Sequence, residues 1–67
     1  MDLSARNQLS GTVTNIKLGT VMAEVVVTIG VNEIVAAITR GSAERLGLKV
    51  GDQVVAVIKA TEVMIAK

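Results

Sequence analysis

A chain of 67 residues with no cysteine, histidine, proline or aromatic side chain has no disulfide framework, none of the usual zinc ligands and no ring on which a nucleic-acid base could stack. Seven Lys or Arg against six Asp or Glu leave a net charge of +1, too little for a nucleic-acid surface. A domain this short buries only about 60% of the surface its unfolded chain exposes, yet 51% of the sequence is hydrophobic with a mean hydropathy of +0.60, so further copies of the chain are expected to cover the surplus.

Ser4-Ala5-Arg6-Asn7-Gln8-Leu9 is a polar, donor-rich hexapeptide leading into the first apolar alternation. Residues 9–18 read as a strand. Leu9, Gly11 and Val13 share one face, whereas Ile16 and Leu18 fall on the opposite parity, and this slip near Asn15 predicts a β-bulge. Gly19-Thr20 marks a turn. A second strand over 21–29 puts Val21, Ala23, Val25, Val27 and Ile29 on one face; Met22, Glu24, Val26 and Thr28 make the other apolar enough that both faces should be covered. Glu24, alone among valines, is expected to reach solvent or a cation of a partner subunit.

Gly30-Val31-Asn32 is a hairpin loop, after which Ile34, Ala36 and Ile38 alternate with Glu33, Val35 and Ala37 in a third strand. The pattern turns helical over 39–46, with Thr39 or Ser42 as N-cap and Gly47 suited to the left-handed C-terminal position. A tight connection over 48–52 leads to a fourth strand over 53–61 and a short fifth over 63–66. Met22 and Met64 read as core filler. This order is that of a five-stranded OB-like barrel, an all-β fold with one short helix, in one domain over 1–67. No proline blunts a sheet edge, so edges are open to pairing between subunits. Lys17, Glu24 and Lys59 interrupt the apolar runs, so nothing spans a membrane. Met1-Asp2-Leu3-Ser4 does not open as a signal peptide, and a cytoplasmic protein is expected.

Without His or Cys, catalysis would fall to Ser, Thr, Lys, Asp or Glu, and no paired-carboxylate or nucleophile motif is present. Gly47-Leu48-Lys49-Val50-Gly51 lacks the spacing and the Lys-Ser/Thr ending of a phosphate loop and reads as a helix cap and turn. An enzyme is not expected. Anion binding suits the residues better, because a tetrahedral oxyanion needs convergent donors and no acid–base group. Three clusters offer them: Ser4, Arg6 and Asn7; Thr39 and Ser42; Lys59-Ala60-Thr61. Each residue singly has a plainer role, as a cap, a tie for the terminus or a snorkelling cation.

The hexapeptide Ser4 to Leu9, followed by Gly11, resembles the opening signature of the molbindins, small bacterial proteins that bind molybdate and related oxyanions. The likeness continues through Val13, Met22-Ala23-Glu24-Val25, Ile38-Thr39, Ser42, Leu46-Gly47-Leu48, Gly51-Asp52, Ile58-Lys59-Ala60-Thr61 and Val63-Met64-Ile65. The resemblance, to the stand-alone form of the family, implies a homohexamer of OB-like (TOBE) subunits built as a trimer of strand-exchanged dimers. Molybdate or tungstate would sit at subunit interfaces for storage and buffering, without covalent change. Ser4, Ala5 and Arg6 would come from one subunit and Thr39, Lys59 and Ala60 or Thr61 from its neighbour. Arg6 would act through its backbone as much as its guanidinium. Where the family sometimes carries a hydroxyl after the lysine, Ala60 offers only its N–H, and Thr61 is the compensating hydroxyl. A second kind of site on the three-fold axis is also implied, with no residues assigned to it here.

Residues 46–55, Leu46 to Val55, also resemble the swapped-hairpin transition-state regulators, which bind DNA as dimers; a bare oligomer without ligand is a third reading. The likeness to the regulators covers only a turn and a strand. Binding to duplex DNA at physiological salt is expected to be negligible, since a reader of DNA carries a basic surface and a steep salt dependence. A mobility-shift titration against random competitor checks this; a specific, salt-dependent shift would reinstate the regulator.

Overall fold

The computed structural model describes residues 3–67; Met1 and Asp2, which the signal-peptide reading used, lie outside the described residues. Strand β1 (Asn7–Leu18) is the spine of the fold. Its second half pairs with β2 (Met22–Ile29) and its first half with β4 (Gln53–Ile58), both antiparallel. Strand β3 (Asn32–Thr39) lies beyond β2, giving the order β3-β2-β1-β4.

The bulge falls where the phase slip predicts it. Val13 pairs with Val27 and Asn15 with Val26, which leaves Thr14 without an opposite residue. The Thr14 hydroxyl reaches the Val26 carbonyl at 3.4 Å and accepts from the Thr28 hydroxyl at 3.2 Å, so local polar contacts occupy the interrupted ladder. A bulge bends and twists its strand. Here it lets one strand serve two partners: Thr12 is opposite both Thr28 and Gln53. Gly51 and Asp52 extend the β4 side, with the Gly51 N–H donating to the Val13 carbonyl at 2.7 Å and the Val13 N–H to the Asp52 carbonyl at 2.9 Å.

The β2–β3 turn has positive φ at Gly30 and not at Val31, as a two-residue II′ hairpin requires. Helix α1 (Arg40–Leu46) begins at Thr39, whose hydroxyl accepts the Ser42 N–H at 3.0 Å. It ends at Gly47, φ 62°, whose N–H reaches the Ala43 and Glu44 carbonyls. Arg40 fastens the start of α1 to the β1–β2 hairpin through its N–H to the Val21 carbonyl (2.7 Å) and Nη1 to the Gly19 carbonyl (3.2 Å).

Only Val13, Ala23, Val25, Val27 and Ala43 are fully buried among the apolar residues described. Their alternation on β2 follows the predicted parity, while Ile16, Ile29, Ala36, Ile38, Leu48 and Val54 pack around them half-buried. Within the chain the sheet does not close. Between the free edges of β3 and β4 runs an apolar groove of about 320 Å³, reached by Val13, Val25, Ala36, Ile38, Val54 and Ile58.

The C-terminal segment departs from the expected strands. The fourth strand stops at Ile58, and a 3₁₀ turn over Ala60–Glu62 follows, closed by the Glu62 N–H on the Lys59 carbonyl at 2.9 Å. This turn carries the chain off the sheet, so residues 63–66 find no ladder among the described residues and form no fifth strand there. Val63, Met64 and Ile65 are 45%, 92% and 89% exposed. Met22 is 47% exposed, being one step out of phase with buried Ala23, so neither methionine fills the core of the chain. Glu24 is exposed, as expected. No helix among the described residues is long and apolar enough to cross a membrane.

Candidate functional site

Antiparallel pairing of β1 with β4 sets Asn7 opposite Ile58. The loop before β1 and the turn after β4 therefore leave the sheet side by side, although more than fifty residues separate them in sequence. Between them lies a cleft of about 180 Å³, lined by Ser4, Ala5, Arg6, Lys59, Ala60 and Thr61. That volume is below the range of about 300–1,000 Å³ of sites for drug-sized molecules. It fits a small ligand.

Two of the six residues are cations. Among the described residues neither Arg6 nor Lys59 forms an ion pair; the pair present is Arg40 with Glu44, at 2.8 Å on the exposed face of α1. Arg6, Ala60 and Thr61, which line the cleft, have N–H groups that reach no carbonyl among the described residues. Ser4 and Thr61 contribute hydroxyls. Such a set favours an anion with several acceptor oxygens: charge-assisted hydrogen bonds are roughly twice as strong as neutral ones, and cations with no ion pair among the described residues gain most from a ligand that is itself negative.

Larger depressions lack this chemistry. A 550 Å³ groove beside Ser10, Leu46, Asp52 and Gln53 has no cation. A 400 Å³ one beside Lys17, Met22 and Glu24 sets a carboxylate near its lysine and is otherwise mostly apolar.

Six of the seven residues expected at a site thus line one cleft of a single chain, so the division that put Lys59, Ala60 and Thr61 on a neighbour of the subunit giving Ser4, Ala5 and Arg6 is corrected: the pairing of β1 with β4 brings them together without a second copy. Thr39 does not line the cleft. It pairs with Met22, at the end of the sheet where β1 finishes, a strand length from Asn7 and Ile58, on the order of 30 Å at about 3.3 Å per residue. Its hydroxyl is also engaged, donating to the Ser42 hydroxyl at 2.8 Å while accepting the Ser42 N–H, and Arg45 Nη2 donates to the same Ser42 oxygen at 3.0 Å. A site holding both Thr39 and Lys59 requires a second copy of the chain. Asn7, grouped with Ser4 and Arg6 by sequence, is the first residue of β1 and does not line the cleft.

The sequence pattern assigns Gln8 no part in the site. Its Nε2 donates to the Ala5 carbonyl at 2.9 Å, tying the N-terminal loop to β1. Its place in the hexapeptide is the one feature of the sequence that points to it.

The sequence matches the TOBE domain family over residues 3–65. It is 52% identical over 66 residues to molybdenum-pterin-binding protein 1 of Clostridium pasteurianum, covering 97% of each chain. Among solved structures, a molybdate-binding protein from Sporomusa ovata superposes with a TM-score of 0.95 at 48% identity over 100% of both chains. The cytoplasmic molybdate-binding protein ModG, in a form with molybdate bound, superposes at 0.84 with 46% identity, matching 90% of this chain and 43% of its own.

Proposed function

The chain belongs to the molbindin family of TOBE domains, and from that membership we propose that it is a non-catalytic binding protein for molybdate, with tungstate a near-indistinguishable ligand, serving storage and buffering in the cytoplasm. The observation that carries this is the meeting of Arg6 and Lys59 with two hydroxyls and with N–H groups that reach no carbonyl among the described residues, along one cleft of about 180 Å³. Lys59 and Arg6 supply the charge, Ser4 and Thr61 hydroxyl donors, and Ala60 an N–H at the start of the 3₁₀ turn; small Ala5 leaves room for the ligand. The inorganic anion is favoured over a pterin conjugate, because a chain with no aromatic residue has no ring to stack on a pterin.

The cleft is open and one-sided, and a neighbouring copy completes it in this reading, bringing Thr39. The assembly proposed is a homohexamer, a trimer of strand-exchanged dimers. Two features support exchange. Apolar Val63, Met64 and Ile65 are exposed, and the groove between β3 and β4 offers an apolar floor between two unpaired strand edges. Adding a strand there would satisfy backbone groups and close the barrel.

Native mass spectrometry of freshly purified protein tests ligand and assembly together. The expected spectrum has bound molybdenum oxyanion on a six-chain species and no folded monomer, with sedimentation at micromolar concentration agreeing. A monodisperse monomer of 7.0 kDa that takes up no added molybdate would overturn the proposal.

A further inference from the structure

We propose that Gln8 is a positioning residue of the oxyanion cleft, its side-chain amide fixing the Ala5–Arg6 peptide so that the Arg6 N–H is held ready for the ligand. This rests on the oxyanion reading of the cleft. The Ala5 carbonyl can only accept, so the group 2.9 Å from it is the donating end of the Gln8 amide. Gln8 is itself held by the ladder opposite Val57, two residues before Lys59. The post that anchors one wall of the cleft is therefore paired to the strand that delivers the other.

The geometry of the peptide does the rest. No peptide bond among the described residues is cis, and in a planar trans peptide the C=O and N–H point in opposite directions. Holding the Ala5 oxygen toward Gln8 turns the Arg6 N–H away from it, and that N–H reaches no carbonyl among the described residues. Both Ala5 and Arg6 line the cleft. Without the Gln8 bond this peptide can rotate, and a site that recognises its ligand by fixed donors loses one of them to disorder. Gln8 does not line the cleft and is exposed on the outer face of β1, so its effect is exerted through Ala5 and Arg6.

The test is Gln8→Met, which keeps the length of the side chain and removes the donor without adding charge. Calorimetry with molybdate and with sulfate is run on wild type and variant, alongside thermal unfolding. Molybdate affinity is expected to fall about three- to tenfold, the range set by one ordinary hydrogen bond, with a smaller loss for sulfate, so that the ratio between the two ligands narrows. The unfolding midpoint should not move, and in the ligand-free variant the Arg6 amide resonance should shift while those of β2 and β3 stay in place. Unchanged affinity and ratio in a variant whose parent binds molybdate would overturn the positioning role and leave the oxyanion reading standing. An equal loss for both anions with a lowered midpoint would make Gln8 merely structural, which also overturns it. A wild type that takes up no molybdate defeats both.

Discussion

Lys59→Met is expected to weaken molybdate binding by about one to two orders of magnitude and to leave the assembly intact. The magnitude follows from the charge-assisted bond that is lost, about 1.5–3 kcal/mol for a hydrogen bond to a charged group. The selectivity of the substitution follows from local structure. Lys59 occupies the N-cap of the 3₁₀ turn, and its side chain makes no capping bond there, so the turn is closed by backbone alone. Methionine retains an apolar stem of similar length and removes only the ammonium. Sulfate should compete poorly with molybdate in the wild type, because donors fixed by two paired strands suit one size of tetrahedron. Calorimetry on the two proteins, with sedimentation to verify assembly, decides the matter. Equal molybdate affinity would take Lys59 out of the site and with it most of the residue-level assignment.

Substitution of Gly11 should have the largest effect on stability. A Cβ at this position would lie 2.6 Å from the Thr28 carbonyl oxygen, 2.7 Å from Val27 Cγ1 and 2.8 Å from Ile29 Cγ1. The side-chain atoms could move; the backbone oxygen belongs to the β1–β2 ladder and cannot without disturbing the pairing beside the bulge. Gly11 has no positive φ, so the requirement is for space. Overpacking of a tight site costs about 1–3 kcal/mol, and a chain of this length has a total stability on the order of 3–10 kcal/mol. Gly11→Ala should therefore lower the unfolding midpoint by many degrees, and Gly11→Val should not yield folded protein. Gly41→Ala is the control. Nothing lies within 4 Å of its added Cβ, the position is helical, and replacing a helical glycine gains about 1 kcal/mol at most. Circular dichroism melts of the three variants check the contrast; a Gly11→Ala protein that melts with wild type would mean that the two strands do not approach so closely.

Much of the local structure was legible because each feature has a short-range cause. The bulge could be read from the change of parity between Val13 and Ile16, since side chains alternate along a strand and an extra residue must reverse that phase. Thr39 and Gly47 bound α1 because a hydroxyl satisfies a free N–H at one end and glycine alone enters the left-handed region without strain at the other. The donor types of the cleft were legible too, as was the small size of the core relative to the apolar content. What stayed out of reach depended on which strand lies against which. Residues 63–66 alternate like a strand, but a strand exists only with a partner, and the 3₁₀ turn leads them away from their own sheet. Gly11 gives no local hint that β2 closes on it. Ser4, Ala5 and Arg6 meet Lys59, Ala60 and Thr61 only because the register sets Asn7 opposite Ile58; a slip of one residue would turn the side chains of β4 to the other face. The same register leaves Thr39 at the far end of β1. The residue types suited to an anion were thus determined by the sequence alone, and their convergence by long-range pairing, in which contacts distant along the chain fix geometry that no short segment encodes.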